Sequence, residues 1–241
     1  MHVAWCDNPA TLNMLAADRV GAVLARKPQA AIALPTGRTP MGLYALLCTR
    51  VAAGALSFAR ARLFNLDEFV GLAPDHPHSY GGLLHRQLLD RIDVSADRLR
   101  LLHGDAVDLD AECRSYDAAL ADADGLDLAI LGLGVNGHVA FNEPGTDPAG
   151  ATHVVALSEA TRAAQQQQTA AATPLPAHGL TMGIATLAAA REVLLLVAGD
   201  NKQQALAALL CGPVSPQWPV TYLRDHANLT VISALRPSHP Y

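Results

Sequence analysis

The sequence predicts an α/β fold of three layers, with a mostly parallel central sheet between two sets of helices. Short apolar runs rich in Val, Ile and Leu alternate along the chain with longer segments of helical period. No stretch of Pro, Gly or Ser is long enough to divide the 241 residues. Strands separated by helices imply right-handed βαβ units, and therefore a parallel sheet covered on both faces. The length suits a single domain, 1–241, with ample room for a core.

The elements follow in order. "TLNMLAADRVGAVLARKP" (11–28) predicts a helix, and "AAIALPTG" (30–37) a buried strand ending in a Gly turn. "PMGLYALLCTRVAAG" (40–54) predicts a helix with Pro40 near its start, where a missing N–H does no harm. "ARLFNLDEF" (61–69) is the second strand. "SYGGLLHRQLLDRI" (79–92) carries a helical stripe of Tyr80, Leu83, Leu84, Leu88 and Ile92. "DLDAECRSYDAALADAD" (108–124) is a helix with Asp108 or Asp110 as N-cap. "DLAILGLG" and "HVVAL" are strands, "TMGIATLAAA" a helix, "EVLLLVAG" a strand, "NKQQALAALLCG" a helix stopped by Gly, and "NLTVISA" the last strand. The result is a Rossmann-like α/β/α sandwich. "RAAQQQQTAAATPLPAHG" (162–179) is biased in composition, and a lid is expected at about 158–179.

Composition narrows the function. Hydrophobic residues are 51% and charged residues 16%, which excludes a disordered chain. A net charge of −5 without a basic stripe argues against nucleic acid and against a membrane surface. The apolar run "EVLLLVAG" is far too short to span a bilayer. Cys6, Cys48, Cys113 and Cys211 show no C-x-x-C spacing, and no signal peptide is visible, so reduced thiols in a cytoplasmic protein are expected.

Ligands of open parallel sheets bind at the carboxyl ends of the strands. The residues there are "LPTGRTP", "NLDEF", "GLGVNGHVAFNEPG" and "AGDNK". Gly132, Gly134 and Gly137 form G-x-G-x-x-G, and Glu159 lies about where a ribose-binding acid would be expected. A dinucleotide site also needs a helix starting at those glycines. Pro144, Gly145, Pro148 and Gly150 leave no space for one. The loop therefore reads as irregular and polar, with side-chain chemistry of its own. His138 can move protons near neutral pH, and Glu143 could orient it or stabilise its charged form. Thr36, Gly37, Arg38 and Thr39 precede a helix and suit a small phosphate monoester. They lack the G-K-[ST] of a nucleotide loop. Asp67 and Glu68 are adjacent on a strand, so only one can face a ligand. Asp67 as base with Glu68 as structural partner is one assignment, and spacing allows the reverse. No H-x-x-E-H, H-E-x-x-H or acidic cluster points to a metal.

"LPTGRTPMGLY", "FNLDEFVGL", "HPHSYGGLLHRQLLDRIDV", "GLGVNGHVAFNEPG", "LTMGIATLAAAREVLLLVAG" and "NLTVI" occur in the order and spacing of the glucosamine-6-phosphate deaminases, which the chain resembles over residues 10 to 234. A looser version of that fold is shared with 6-phosphogluconolactonases, which do not carry the D-E-x-V-G-L and F-N-E-P pair in this form. The resemblance implies conversion of glucosamine 6-phosphate and water to fructose 6-phosphate and ammonia, or deamination of another hexosamine 6-phosphate such as galactosamine 6-phosphate. It implies Asp67 as the base at C2 and C1, His138 as the ring-opening group, and Glu143 with Asn136 as its partners. It places Thr36, Gly37 and Thr39 at the phosphate, with Arg38 inside the same loop, and Arg162 and Lys202 gripping the sugar phosphate, and it implies no cofactor. Three features depart from the family. Arg38 replaces a small residue, "TRAAQQQQ" lacks an aromatic pair, and Tyr222 replaces a small residue expected near the sugar. "GTDPAGATHVVAL" also lacks the basic residues that hexameric relatives use to bind N-acetylglucosamine 6-phosphate, and the chain ends soon after the last strand. A monomer or small homo-oligomer without that activation is therefore expected.

Overall fold

The computed structural model describes residues 1–169 and 174–236. The chain runs β1 (His2–Trp5), α1 (Pro9–Arg26), β2 (Ala31–Leu34), α2 (Met41–Ala52), β3 (Arg62–Asn65), β4 (Asp67–Phe69), α3 (Tyr80–Gln87), β5 (Leu99–Arg100) and α4 (Leu109–Asp122). It continues with β6 (Leu128–Gly132), β7 (His153–Ala156), α5 (Glu159–Thr169), β8 (His178–Thr181), α6 (Ile184–Ala188), β9 (Val193–Val197), α7 (Gln203–Cys211) and β10 (Leu229–Ser233). Seven strands form one parallel sheet in the order β1-β10-β9-β6-β2-β3-β5.

The layers follow from the alternation of strand side chains. Ala31 and Ala33 of β2 pack with α4, α6 and α7. Ile32 and Leu34 pack with α1 and α2. Burial on both faces is why β9 reads VLLLV without a polar residue. Helix starts are chemically marked. Asn8 accepts from Thr11 N–H at the head of α1, and Asp108 accepts from Ala111 N–H at the head of α4. Among the described residues no helix is long and apolar enough to cross a membrane.

Three expectations are corrected. The strand expected over 61–69 breaks at Leu66, and its second half, β4, joins β8 and β7 in a separate antiparallel sheet. Asn65 causes the break. Its buried amide accepts from Leu102 N–H and donates to the Asp67 carbonyl. The helix expected over 79–92 ends at Gln87, because Leu88 (φ −140°) starts a 3-10 turn that buries Leu88 and Leu89 together. The helix expected from Thr181 starts at Ile184, since Thr181 belongs to β8. The short strands β1, β5 and β8 have no local signature and form only through distant partners. The lid expected at about 158–179 contains α5, and residues 170–173 of it lie outside those described.

After β2 the chain adds β3 and β5 on one side of that strand. It then returns to build β6, β9 and β10 on the other. The loops leaving β2 and β6 diverge at this switch, which opens a crevice at their carboxyl ends.

Candidate active site

A cavity of about 350 Å³ occupies that crevice. Its walls are the 35–40 turn after β2, Leu66 and Asp67 after β3, the 132–135 loop with His138 after β6, Gly199 to Lys202 after β9, and Ala164, Gln165 and Gln167 of α5. A larger groove, about 470 Å³, runs between α1 and α2 beside Asp18, Arg50 and Arg60. It lies at the amino ends of the strands and away from every candidate residue.

The ambiguity between Asp67 and Glu68 is resolved by their partners. Glu68 turns away from the cavity and accepts four hydrogen bonds. Phe69 and Tyr80 N–H reach Oε1 at 2.8 and 2.9 Å, and the Ser79 hydroxyl and Gly81 N–H reach Oε2, both at 2.8 Å. It is a buried anchor for the head of α3. Asp67 lines the cavity. Burial, and then the neighbouring Glu68 charge, raise its carboxyl well above the usual range. That suits a base working near neutral pH.

His138, Asn136 and Glu143 form a chain. Glu143 Oε2 can only accept, so it fixes the Asn136 amide nitrogen at 2.7 Å. Asn136 Oδ1 then faces His138 Nδ1 at 2.7 Å and must accept its proton. The other nitrogen, Nε2, is left with its lone pair. Burial lowers the imidazole pKa to about 4; the Glu143 charge opposes this and Lys202 reinforces it. Neutral imidazole therefore persists through the physiological range. The Glu143 carboxylate hydrogen-bonds Asn136 and not the ring itself. Its Oε1 accepts, at 3.3 and 3.4 Å, from the hydroxyl and N–H of Ser158 at the head of α5.

The glycines of the loop serve the histidine. A Cβ on Gly134 would lie 2.4 Å from the His138 ring. Gly137 has φ +80° and backs onto Trp218. Between Gly137 and α5 the described chain contains no helix, so the requirement of a dinucleotide fingerprint is absent. Among the described residues no three His, Cys, Asp or Glu side chains are grouped to hold a metal ion.

The structure thus brings Thr36, Gly37, Arg38, Thr39, Asp67, His138 and Lys202 to one cavity and sets Asn136 and Glu143 behind the histidine. Burial holds the Lys202 ammonium below its usual range. Arg162 is on α5 but is not part of the cavity wall, and its Nε is buried without a partner. Tyr222, expected near the sugar, packs against the core instead. Sequence reading missed Tyr80, which lines the cavity together with Thr36. Its place on the stripe of α3 made it look like ordinary core. Ser79, which caps α3 at Gly82 N–H, was the available signal that this helix begins at the site.

A family model described as glucosamine-6-phosphate isomerases/6-phosphogluconolactonase matches residues 9–232. The chain is 44% identical over 207 residues to a glucosamine-6-phosphate deaminase of Rhodopirellula baltica, covering 86% of this chain and 82% of that protein. It is 39% identical over 233 residues to one of Mycolicibacterium smegmatis, covering 96% and 89%. A solved monomeric glucosamine-6-phosphate deaminase superposes with a TM-score of 0.92 at 36% identity over 97% of each chain. A 6-phosphogluconolactonase of Thermotoga maritima, at 19% identity and a TM-score of 0.77, shares the fold over 96% of this chain and 98% of its own.

Proposed function

Because this chain belongs to the family of glucosamine-6-phosphate isomerases and 6-phosphogluconolactonases, we propose that it deaminates glucosamine 6-phosphate, giving fructose 6-phosphate and ammonia. The observation that carries this reading is a buried carboxylate of raised pKa, Asp67, in one cavity with a neutral imidazole, His138. Proton abstraction beside a carbonyl needs the first, and opening a pyranose needs the second.

His138 Nε2 takes the proton of the C1 hydroxyl and returns it to the ring oxygen, leaving an open-chain aldehyde. Asp67 removes the C2 proton while the 2-ammonium group of the substrate gives up a proton that passes to O1, giving a neutral enolamine. Asp67 then delivers its proton to C1, leaving an iminium at C2. Water adds at C2, ammonia departs, and the ketone of fructose 6-phosphate remains. Thr36, Gly37, Arg38 and Thr39 are assigned to the phosphate, with Lys202 beside it. Arg162 joins them in this reading, and its unpaired buried Nε is a donor that a phosphate oxygen would satisfy. Anchoring the remote phosphate supplies binding energy for orienting C1 and C2.

The test is the stoichiometry of ammonia and fructose 6-phosphate from glucosamine 6-phosphate, with galactosamine 6-phosphate alongside. Equal yields of the two products are expected, and Asp67→Asn should reduce the rate by about 10³-fold or more while sugar-phosphate binding persists. Turnover by the Asn variant at close to the native rate would refute the assigned base. Hydrolysis of a sugar-phosphate lactone without ammonia from either amino sugar would refute the reaction.

A further inference from the structure

We infer that Asn65 is the positioning residue of the base: its amide, with Tyr116 behind it, sets the peptide from which the Asp67 side chain enters the cavity. The inference rests on the reading of Asp67 as the group that takes the C2 proton. Asn65 is the last residue of β3 and Asp67 the first of β4, and only Leu66 stands between the two sheets. The direction in which Asp67 leaves the first sheet is therefore set over three residues. Asn65 Nδ2 donates to the Asp67 carbonyl at 2.8 Å, which closes a small ring across Leu66 and holds the chain in one turn.

The amide is itself over-determined. Asn65 is 0% exposed, so water offers it no other partner. Oδ1 accepts from Leu102 N–H at 2.8 Å, which leaves the amide nitrogen facing Asp67 and excludes the flipped arrangement. The Tyr116 hydroxyl of α4 donates to the Asn65 carbonyl. The Tyr116 ring meets Phe64 edge-on and lies 5.2 Å from the Arg100 guanidinium, which grips Glu112 through two bonds at 2.9 and 3.0 Å. Three segments of the chain thus converge on residue 65. Asn65, Leu102 and Tyr116 are not among the cavity-lining residues, so their effect on the reaction passes through Asp67. Leucine has the shape of asparagine without its donor or acceptor, and an ionised aspartate can only accept. A carboxylate displaced by about 1 Å loses on the order of 10²-fold in rate.

Asn65→Leu and Tyr116→Phe test this against the native protein. Calorimetric titration with fructose 6-phosphate counts the intact sites, so rates are read per site and a loss of folded protein drops out. The substrate is glucosamine 6-phosphate carrying hydrogen or deuterium at C2. Per site, kcat should fall by about 10²-fold in Asn65→Leu. It should fall by about tenfold in Tyr116→Phe, which loses one hydrogen bond. KM and fructose 6-phosphate affinity should stay within about twofold of native. The isotope effect on kcat should equal or exceed the native one, because the slowed step is proton removal. Native kcat per site in either variant, or an isotope effect that falls toward unity, would overturn the positioning role and leave the base standing. If Asn65→Leu does not fold, Tyr116→Phe, which lacks a single oxygen, decides alone. No ammonia from the native protein would overturn both the role and the reaction.

Discussion

Asp67 places a carboxylate where the fold resists its charge. It is 7% exposed and adjoins a second buried acid, so its pKa is raised in the native state. The unfolded chain releases this proton near pH 4, whereas the native chain holds it to higher pH. Between those two values the native state binds the proton more strongly, so stability falls as pH rises through the window. At pH 7 the side chain is therefore a destabilising group kept for its chemistry. Asp67→Asn should raise the melting temperature at pH 7 by several degrees, and the gain should vanish toward pH 4; an unchanged or lower melting temperature at pH 7 in calorimetry would contradict the raised pKa. His138 behaves differently. Its pKa lies near 4, so the acid limb of the rate profile belongs to Asp67 and not to the imidazole. Residue chemistry of this kind was half legible. The types at Asp67 and His138 were readable, but the role of Glu68 depended on four donors, three of them brought by the head of a helix eleven to thirteen residues later.

Among the elements, β4 and α3 are the pair that holds the base in position. Glu68 is buried, and its two oxygens receive four donors at their junction. Glu68→Gln keeps one acceptor oxygen and turns an amide toward two donors. Each orphaned buried donor costs about 1–3 kcal/mol, so the variant should lose on the order of 3 kcal/mol in denaturant unfolding. Removing the Glu68 charge should also lower the Asp67 pKa, moving the acid limb of kcat to lower pH. An unmoved limb with only a stability loss would leave Glu68 a purely structural anchor. Long helices were readable because period and caps are local, as at Asn8 and Asp108. The three-residue β4 was not, since nothing in "DEF" distinguishes it from the end of β3. Its separation depends on Asn65 reaching the backbone of Leu102 and Asp67.

For the whole molecule, the reversal of strand order between β2 and β6 gathers residues 36, 67, 138 and 202 into one crevice. Exposed large apolar side chains such as Trp5, Met14, Val107 and Val214 come from separate segments of the chain. The loop after Glu143 offers no Arg or Lys to a second anion. A mass near 25.3 kDa is therefore expected in sedimentation equilibrium, with hyperbolic rates that N-acetylglucosamine 6-phosphate leaves unchanged. A sigmoidal response abolished by that compound would refute this.

The sequence by itself determined the three layers, the long helices, the reactive residue types and the ends of the strands where they gather. Those properties rest on period, capping and residue chemistry within short windows. Only the tertiary structure decided which of two adjacent acids faces the cavity, that Glu143 reaches His138 through Asn136, that Tyr80 lines the site while Tyr222 does not, and that Arg38 meets α5. Each of these depends on where a second, distant segment stops, and hydrogen bonding and burial between distant segments leave no mark in the local pattern.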